Sequence, residues 1–187
     1  MLRIGDTLPD MQMDALHGDE IRRVSLRDSR GRWVVLVAYP ADFTFVCPTE
    51  LAEAADLHDE FRAAGADVYC VSTDTVWTHQ AWREASPTVA AIRFPMLADP
   101  SGRLCRALGT YDEDAGVSLR GTFIADPEGV VQTMEVHADG IGRNMRETLR
   151  KLQAAAFVRD SKGEVCPASW APGAKTLTPG LALVGKL

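Results

Sequence analysis

A continuous run of apolar residues at positions 33–39 constrains the fold of this chain more than any other segment. The run is Trp-Val-Val-Leu-Val-Ala-Tyr, and Pro40 follows it directly. A strand with one solvated face alternates apolar and polar residues, whereas this segment shows no such alternation. We therefore expect a strand buried on both faces, in a sheet that helices cover. The run is too short to cross a membrane, since a spanning helix needs about 20 apolar residues.

The segments around this strand predict an alternating α/β chain. The N-terminal segment is rich in turn residues and predicts short strands or a hairpin. Apolar residues at helical spacing follow Pro48, and Gly65 is placed to end that helix. We expect further helices at residues 76–85, 101–108 and 143–158, and further strands at 67–72, 119–125 and 130–136. This order, β-α-β-α-α-β-β-α, predicts a central mixed sheet flanked by helices, which is the thioredoxin-like arrangement.

The length and charge of the chain narrow its class. With 187 residues, it suits one domain with a tail, and we expect a domain over residues 1–162 and a C-terminal arm over residues 163–187. The net charge of −6 offers no basic field, so we expect no nucleic-acid partner. The first residues lack the charged and then apolar pattern of a secretory signal. We therefore expect a cytoplasmic protein without a membrane partner.

Four cysteines are too few for a disulfide scaffold, and in a reducing compartment they are expected to be buried thiols, metal ligands or catalytic groups. They are Cys47, Cys70, Cys105 and Cys166. No CxxC pair occurs, which argues against a zinc site and a dithiol oxidoreductase. The histidines are scattered and expected at the surface, and a Cys–His hydrolase could use only His137. They are His17, His58, His79 and His137.

Cys47 stands where a helix is expected to begin, after a buried strand and a short loop. Pro48 suits the first helical position, because its missing N–H would have no partner there. The free N–H groups at a helix N-terminus stabilise an anion and so favour a nucleophilic thiolate. From these features alone, a buried structural thiol is an equally good interpretation. Thr44 favours the catalytic interpretation, because its hydroxyl can hydrogen-bond a thiolate or a bound oxygen atom.

The segment at residues 39–51, Tyr-Pro-Ala-Asp-Phe-Thr-Phe-Val-Cys-Pro-Thr-Glu-Leu, resembles the active-site signature of the typical 2-Cys peroxiredoxins. Within that family it is most similar to the peroxidase subunits of bacterial alkyl hydroperoxide reductases. Matches recur along essentially the whole chain, at residues 71–74, 122–129, 140–143, 163–170 and 183–186. The resemblance implies a thioredoxin-like fold and the activity of a thiol peroxidase.

By this resemblance, Cys47 is the peroxidatic residue, and Pro40, Thr44 and Arg120 complete its pocket. The residue types fit the chemistry, in which a thiolate attacks a peroxide oxygen and negative charge moves onto the departing oxygen. Arg120 can hold the thiolate and donate to the peroxide, Thr44 can position the two oxygens, and Pro40 can shield the thiolate from water. Glu50 either orients Arg120 or is only an acid near a helix N-terminus.

The resemblance also implies that Cys166, in the arm, is the resolving cysteine. A sulfenic acid on Cys47 condenses readily with another thiol. In this family the second thiol belongs to the other subunit of a head-to-tail dimer. Cys70 and Cys105 depart from the family pattern, and we expect both to be buried as small apolar residues.

A small peroxide, either hydrogen peroxide or an alkyl hydroperoxide, is the implied substrate, and no metal or cofactor is expected. The chain has no dinucleotide-binding fingerprint, so electrons are expected from a separate disulfide reductase: a flavoprotein reductase, thioredoxin or a thioredoxin-like adaptor. The resemblance further implies homodimers, paired through the strand at 130–136. It also implies a decameric ring with contacts near Trp77 and Thr78. The alternative is a ring-forming holdase chaperone or a redox-signalling interaction protein.

Overall fold

The computed structural model describes residues 2–186 and has a seven-stranded sheet at its centre, with a separate two-stranded hairpin. The strands are β1 (Gln12–His17), β2 (Glu20–Ser25), β3 (Trp33–Ala38), β4 (Ala66–Ser72), β5 (Met96–Ala98), β6 (Tyr111–Asp112), β7 (Val117–Ser118), β8 (Arg120–Ala125) and β9 (Val131–His137). The helices are α1 (Cys47–Asp56), α2 (His58–Ala63), α3 (Val76–Ala85), α4 (Pro87–Ala90), α5 (Arg103–Leu108) and α6 (Met145–Asp160). Short 3-10 turns occupy Leu26–Ser29 and Leu181–Leu183.

The apolar run at positions 33–39 forms the buried strand β3 near the middle of the sheet. The strand order is β2-β1-β5-β4-β3-β8-β9, in which β3 runs parallel to β4 and antiparallel to β8. All six residues of β3 are buried. The mixed sheet with helices on both faces confirms the predicted fold class.

Side chains of β3 alternate between two apolar clusters, one on each face of the sheet. Val35 and Val37 belong to the cluster that includes residues of α1, α2 and α6. Val34 and Leu36 belong to the cluster that includes residues of α5 and the N-terminal segment. Burial on both faces explains why the sequence of β3 lacks polar alternation. Packing on both faces also fixes the position of the C-terminal end of β3, from which the loop to α1 begins.

Some short elements differ from the sequence prediction. β5 has only three residues, yet it pairs with both β1 and β4 and so joins the N-terminal hairpin to the rest of the sheet. Pro87 begins α4, because proline fits the first helical turn and Ser86 accepts a hydrogen bond from Val89 N. The helix predicted from Pro48 to Gly65 divides at Leu57, which is buried. β5 and α4 are too short to produce a periodic pattern, and the break at Leu57 is too short to interrupt the helical spacing that follows Pro48.

One edge of the sheet is β9. Its first residue, Val131, exchanges backbone hydrogen bonds with Gly5 and Asp6, and in the described part of the chain no strand pairs with the rest of its outer side. The turn between β8 and β9 is closed by a 2.7 Å hydrogen bond from Gly129 N to Asp126 O. Trp77, at the start of α3, is 68% exposed. No helix within residues 2–186 is long and apolar enough to cross a membrane.

The described part of the arm, residues 163–186, packs on α6. One antiparallel bridge joins Val165 to Leu177 within the arm. Trp170 is buried against Phe157 of α6, with ring centroids 5.2 Å apart. Its carbonyl accepts a 2.7 Å hydrogen bond from Arg150 Nη1. Side chains of α6, rather than the central sheet, therefore attach the arm to the rest of the chain.

Candidate active site

The end of β3 and the start of β8 bring two predicted site residues together. Ala38, the last residue of β3, pairs with Gly121, so Arg120 lies at the same end of the sheet as the loop at residues 39–46. Cys47 follows this loop as the first residue of α1, with Pro48 behind it. The fold therefore places a thiol at a helix N-terminus beside a guanidinium that is distant in sequence.

Cys47 is completely buried, and its sulfur accepts a hydrogen bond from Arg120. Arg120 Nη1 lies 3.3 Å from Cys47 Sγ and 2.9 Å from Glu50 Oε2. The side chain of Arg120 is only 3% exposed. Burial acts to lower the pKa of Arg120, but its contacts with Cys47 and Glu50 outweigh burial and raise that pKa. One guanidinium nitrogen thus connects the thiol to a buried carboxylate.

Glu50 connects two arginines beneath Cys47. Arg143 donates from Nε to Glu50 Oε1 and from Nη2 to Oε2, both at 2.8 Å, and its backbone N donates to Oε1 at 2.8 Å. Burial acts to raise the pKa of Glu50, but the contacts with Arg143 and Arg120 hold it below its ordinary value. Of the two interpretations of Glu50, the structure therefore supports the one in which it orients Arg120.

Arg143 is a site residue that the sequence reasoning does not identify. Its side chain is fully buried, and Nη1 donates to the carbonyl oxygens of Ala38 at 2.8 Å and Gly121 at 2.7 Å. Arg143 therefore joins the ends of β3 and β8 to the first turn of α1. The Gly-Ile-Gly-Arg segment at residues 140–143 carried part of the family resemblance, but no local pattern predicts that its arginine is buried.

The loop before α1 carries the other predicted pocket residues, Pro40 and Thr44. Pro40 is buried and Thr44 is half-buried. Thr44 Oγ1 donates to Ala41 O at 2.8 Å, so its hydroxyl proton is directed to the loop rather than to Cys47. That bond leaves the oxygen lone pairs able to accept a hydrogen bond from a peroxide. Phe43 adopts a φ of 54°, the left-handed conformation that turns the chain within this loop.

Asp42 anchors the same loop to the core. Its carboxylate lies 2.7 Å from His79 Nδ1 and accepts a 2.8 Å hydrogen bond from the Tyr39 hydroxyl. Its backbone N donates to Asp74 Oδ2 at 2.8 Å. Burial raises the pKa of Asp42, although the contact with His79 opposes this effect. The predicted surface position of His79 is wrong: the residue is fully buried, because Asp42 and the Leu97 carbonyl provide partners for both ring nitrogens.

Cys166 lies at the opposite end of the sheet from Cys47 of the same chain. Its half-buried thiol donates weakly to Ala154 O at 3.8 Å and lines a cavity of about 600 Å³ that also contacts Trp33. Trp33 begins β3, whereas the Cys47 site lies where β3 ends, at Ala38. A strand of this length spans about 17 Å. The structure therefore does not bring the two thiols of one chain together.

The other two cysteines are buried, as predicted. Burial raises the pKa of Cys105 to about 12 and the pKa of Cys70 well above its ordinary value. Burial also raises the pKa of Cys166, while the charge of Arg150 opposes that effect. Cys70 and Cys105 each belong to a buried apolar cluster, as expected for small apolar residues. Within residues 2–186, no three His, Cys, Asp or Glu side chains cluster closely enough to hold a metal ion.

Comparison with known proteins agrees with this geometry. Residues 4–134 match the AhpC/TSA family, and residues 158–181 match the C-terminal domain of 1-Cys peroxiredoxin. The chain is 46% identical over 187 residues, the full length of both proteins, to alkyl hydroperoxide reductase C of Escherichia coli K12. It is 47% identical, again over the full length of both, to the protein of that name from Salmonella typhimurium.

Solved structures show the same likeness. Enterococcus faecalis AhpC is 43% identical, with a TM-score of 0.86 that covers 89% of this chain and 100% of the other. The reduced 2-Cys peroxiredoxin of Plasmodium vivax is 31% identical, with a TM-score of 0.86 over 92% and 91% of the two chains.

The chain therefore belongs to the AhpC/TSA family, which confirms the resemblance drawn from its motifs. It is a peroxiredoxin enzyme, a peroxidase that works through a thiol. These relationships do not favour the alternative of a holdase chaperone or a redox-signalling interaction protein.

Proposed function

We propose that the chain reduces hydrogen peroxide and small alkyl hydroperoxides at Cys47, with Cys166 of a partner subunit as the resolving thiol. The Cys47 thiolate attacks the terminal peroxide oxygen, the O–O bond breaks, and the departing oxygen takes a proton and leaves as water or an alcohol. Cys47 is then a sulfenic acid. Condensation with the Cys166 thiol forms a disulfide and releases water, and a separate disulfide reductase restores both thiols.

The contact between Arg120 Nη1 and Cys47 Sγ, inside a buried charge network, is the observation that carries this proposal. The network contains two guanidiniums, of Arg120 and Arg143, but only one carboxylate, of Glu50. Asp139, the remaining partner of Arg120, is largely exposed. Buried charges require compensation, and a thiolate on Cys47 supplies the second buried negative charge. The geometry thus favours the catalytic interpretation of Cys47 over that of a structural thiol.

The same network suits the transition state of peroxide reduction. Negative charge moves from the sulfur to the departing oxygen, and a guanidinium already fixed beside the sulfur stabilises both positions without reorganising. Thr44, with its proton engaged by Ala41, can accept a hydrogen bond from the peroxide and orient its two oxygens. Pro40 is buried in the loop and helps to keep water from the thiolate.

The separation of the two thiols supports a disulfide between subunits. A disulfide requires Cα atoms within about 7 Å, whereas Cys47 and Cys166 of one chain lie at opposite ends of β3. The edge of β9 beyond Val131, with which no strand of the described residues pairs, offers a way to join them. The start of β9 lines the Cys166 cavity at Thr133, and its end pairs with Arg120 at His137. Antiparallel pairing of two β9 edges would therefore bring Cys166 of each chain towards Cys47 of the other.

This pairing is the basis for the assembly and the partners that we propose. We propose a homodimer through β9 and a decameric ring of five dimers, in which the exposed Trp77 and its neighbour Thr78 lie near the contact between dimers.

Residues 1–162 would form the peroxidase domain, and residues 163–187 the arm with Cys166; the end positions Met1 and Leu187 lie outside the described residues. A flavoprotein reductase, thioredoxin or a thioredoxin-like adaptor would supply electrons. A transient catalytic disulfide fits a cytoplasmic enzyme.

Peroxide consumption by the reduced protein tests this proposal. The wild-type chain is expected to consume peroxide in a single turnover without added reductase, and to form a Cys47–Cys166 disulfide between two chains. The disulfide is detected by non-reducing electrophoresis and peptide mass spectrometry. Cys47→Ser is expected to lose peroxide reduction to the level of buffer, because no thiolate remains beside Arg120. The matched control Cys70→Ala removes a buried thiol outside the network and should retain the activity. Peroxide reduction by Cys47→Ser at the wild-type rate would overturn the proposal.

A further inference from the structure

The edge of the Arg120 guanidinium formed by Nε and Nη2 is covered by Asp139, in the loop between β9 and α6. Arg120 Nε donates to Asp139 O at 2.6 Å, and Nη2 donates to Asp139 Oδ1 at 3.2 Å. The side chain of Arg120 is 3% exposed, whereas that of Asp139 is 76% exposed. The Asp139 carboxylate therefore lies between bulk water and the guanidinium that contacts Cys47.

The charges around Cys47 determine how the Asp139 carboxylate acts on an approaching substrate. With Cys47 as a thiolate, the two negative charges of Cys47 and Glu50 balance the two guanidiniums of Arg120 and Arg143. Asp139 adds a further negative charge on the side that faces solvent. A substrate that approaches Arg120 from solvent therefore meets a site whose net charge is negative, despite its two arginines.

We propose that Asp139 determines specificity, so that the Cys47 site selects uncharged hydroperoxides and disfavours peroxides that carry a negative charge near the reacting oxygens. This inference rests on the function proposed above for Cys47. Asp139 acts on the approaching substrate through its charge, whereas Arg120 acts on the reacting atoms. An uncharged hydroperoxide has no net charge for the carboxylate to repel, so the rate of its reduction depends little on Asp139.

The distance between the groups sets the size of the effect. Asp139 Oδ1 and Cys47 Sγ bond to the two terminal nitrogens of one planar guanidinium, so they lie within about 9 Å of each other. At this separation, one unit charge in a partly solvated site changes the rate for a singly charged substrate about fivefold. Because Asp139 is exposed, added salt will screen the interaction. Salt dependence therefore distinguishes repulsion by a charge from a change in pocket shape.

A pair of substrates that differ by one charge isolates this effect. We suggest 2-hydroperoxy-2-methylpropanoic acid, which is an anion at neutral pH with its carboxylate next to the peroxide carbon, and its uncharged methyl ester. The variant Asp139→Asn keeps the size of the side chain and an oxygen that can accept from Arg120, but removes the charge. Asp19→Asn is a matched control, because Asp19 is an exposed aspartate that lies 3.4 Å from Arg83 Nε, outside the Cys47 network. First-turnover rate constants are measured by rapid quench and mass spectrometry of Cys47, so no reductase is needed.

For Asp139→Asn at low ionic strength, we expect the ratio of the anion rate to the ester rate to rise about fivefold above wild type. The increase should shrink at high salt, and Asp19→Asn should leave the ratio unchanged. An unchanged ratio in Asp139→Asn would overturn the inference. An equal loss of both rates would also overturn it, because Asp139 would then act only by holding Arg120. If neither peroxide oxidises Cys47 of the wild-type chain, the proposed function fails, and this inference fails with it.

Discussion

The two thiols assigned to the reaction are held in contrasting ways. Cys47 is completely buried, and its sulfur contacts a guanidinium that shares Glu50 with a second arginine. Cys166 is half-buried on an arm that packs on α6, and its thiol makes a weak 3.8 Å contact with a carbonyl. The structure thus places one thiol in a network of short charged hydrogen bonds and leaves the other with little to hold it.

This contrast matches the two steps of the proposed cycle. Attack on a small, diffusing peroxide benefits from a thiolate and charge-stabilising groups that are already in place. Condensation between subunits instead requires a thiol that can leave its position and reach another chain. Segments with few buried contacts open most readily, and an arm outside the central sheet has this property. The cycle therefore combines a rigid site for the first step with a detachable segment for the second.

Removal of the detachable thiol should separate the two steps completely. Cys166→Ser is expected to react with peroxide in the first turnover at the wild-type rate, because the Cys47 network is intact. With a dithiol reductase as electron donor, steady-state turnover should fall to background, because no disulfide forms for the reductase to attack. Stopped-flow measurement of peroxide loss and a coupled reductase assay give the two rates. Cys105→Ala, which removes another cysteine, should keep both. Normal turnover by Cys166→Ser would remove Cys166 from its role.

Removal of the fixed guanidinium should affect only the first step. Arg120→Met is expected to lower the rate constant for Cys47 oxidation about a hundredfold, the usual cost of losing one preorganised charge-stabilising donor. Arg143 still pairs with Glu50 in this variant, so the fold should persist, which circular dichroism can verify. Arg106→Met is the control, since it removes an exposed arginine paired with Glu113. A loss of less than about threefold in Arg120→Met would show that preorganisation around Cys47 matters little.

Local patterns in the sequence predict much of this molecule. The uninterrupted apolar run predicts the buried strand β3, and the helix expected at residues 76–85 forms as α3 with the same bounds. Cys47 is predicted at the head of α1, because Pro48 and the preceding loop are adjacent to it in the chain. These features succeed because each depends on neighbouring residues. The two-sided burial of β3 then leaves few alternatives for the architecture around it.

Contacts between distant parts of the chain explain what local patterns do not predict. Asp42 and His79 meet only because the loop after β3 lies against α3, and no periodic signal links them. Arg143 is buried only because α1 presents Glu50 to the loop after β9. The three-residue strand β5 is specified by its neighbours β1 and β4, since so short a segment has no detectable alternation. The structure brings Cys47 and Arg120 into contact, but their catalytic roles, like those of Cys166, Thr44 and Pro40, rest on family resemblance and stay predictions.

Loosening the arm should change the second step modestly. Arg150 Nη1 donates to Trp170 O, and Arg150→Gln removes this attachment of the arm to α6. We expect the disulfide between subunits to form about fivefold faster, a factor that corresponds to one hydrogen bond of about 1 kcal/mol, with unchanged Cys47 oxidation. Rapid quench followed by non-reducing electrophoresis measures both events. Arg146→Gln, an exposed change on the same helix, is the control. Slower disulfide formation in Arg150→Gln would contradict this prediction and show that Arg150 promotes the step, either by presenting the docked arm or through its charge near Cys166.

Acid titration compares the rigid network with an exposed ion pair of similar chemistry. Glu50 and Glu113 each accept a pair of hydrogen bonds from one arginine, and in both the folded-state pKa lies below the ordinary value of 4.5. A lowered folded-state pKa stabilises the protein above the unfolded pKa, and this stabilisation is lost as pH falls through the folded pKa.

Glu50→Gln should therefore lose less stability than wild type as pH falls below about 4.5, because it lacks the titrating group. Glu113→Gln should follow the wild-type curve closely, since solvent screens an exposed pair. Urea unfolding of the three proteins at several pH values measures the differences. Parallel curves for wild type and Glu50→Gln would show that the charge of Glu50 contributes no more inside the Cys47 network than a carboxylate on the surface. The contrast between a rigid first site and a loose second one would then rest on packing rather than on charge.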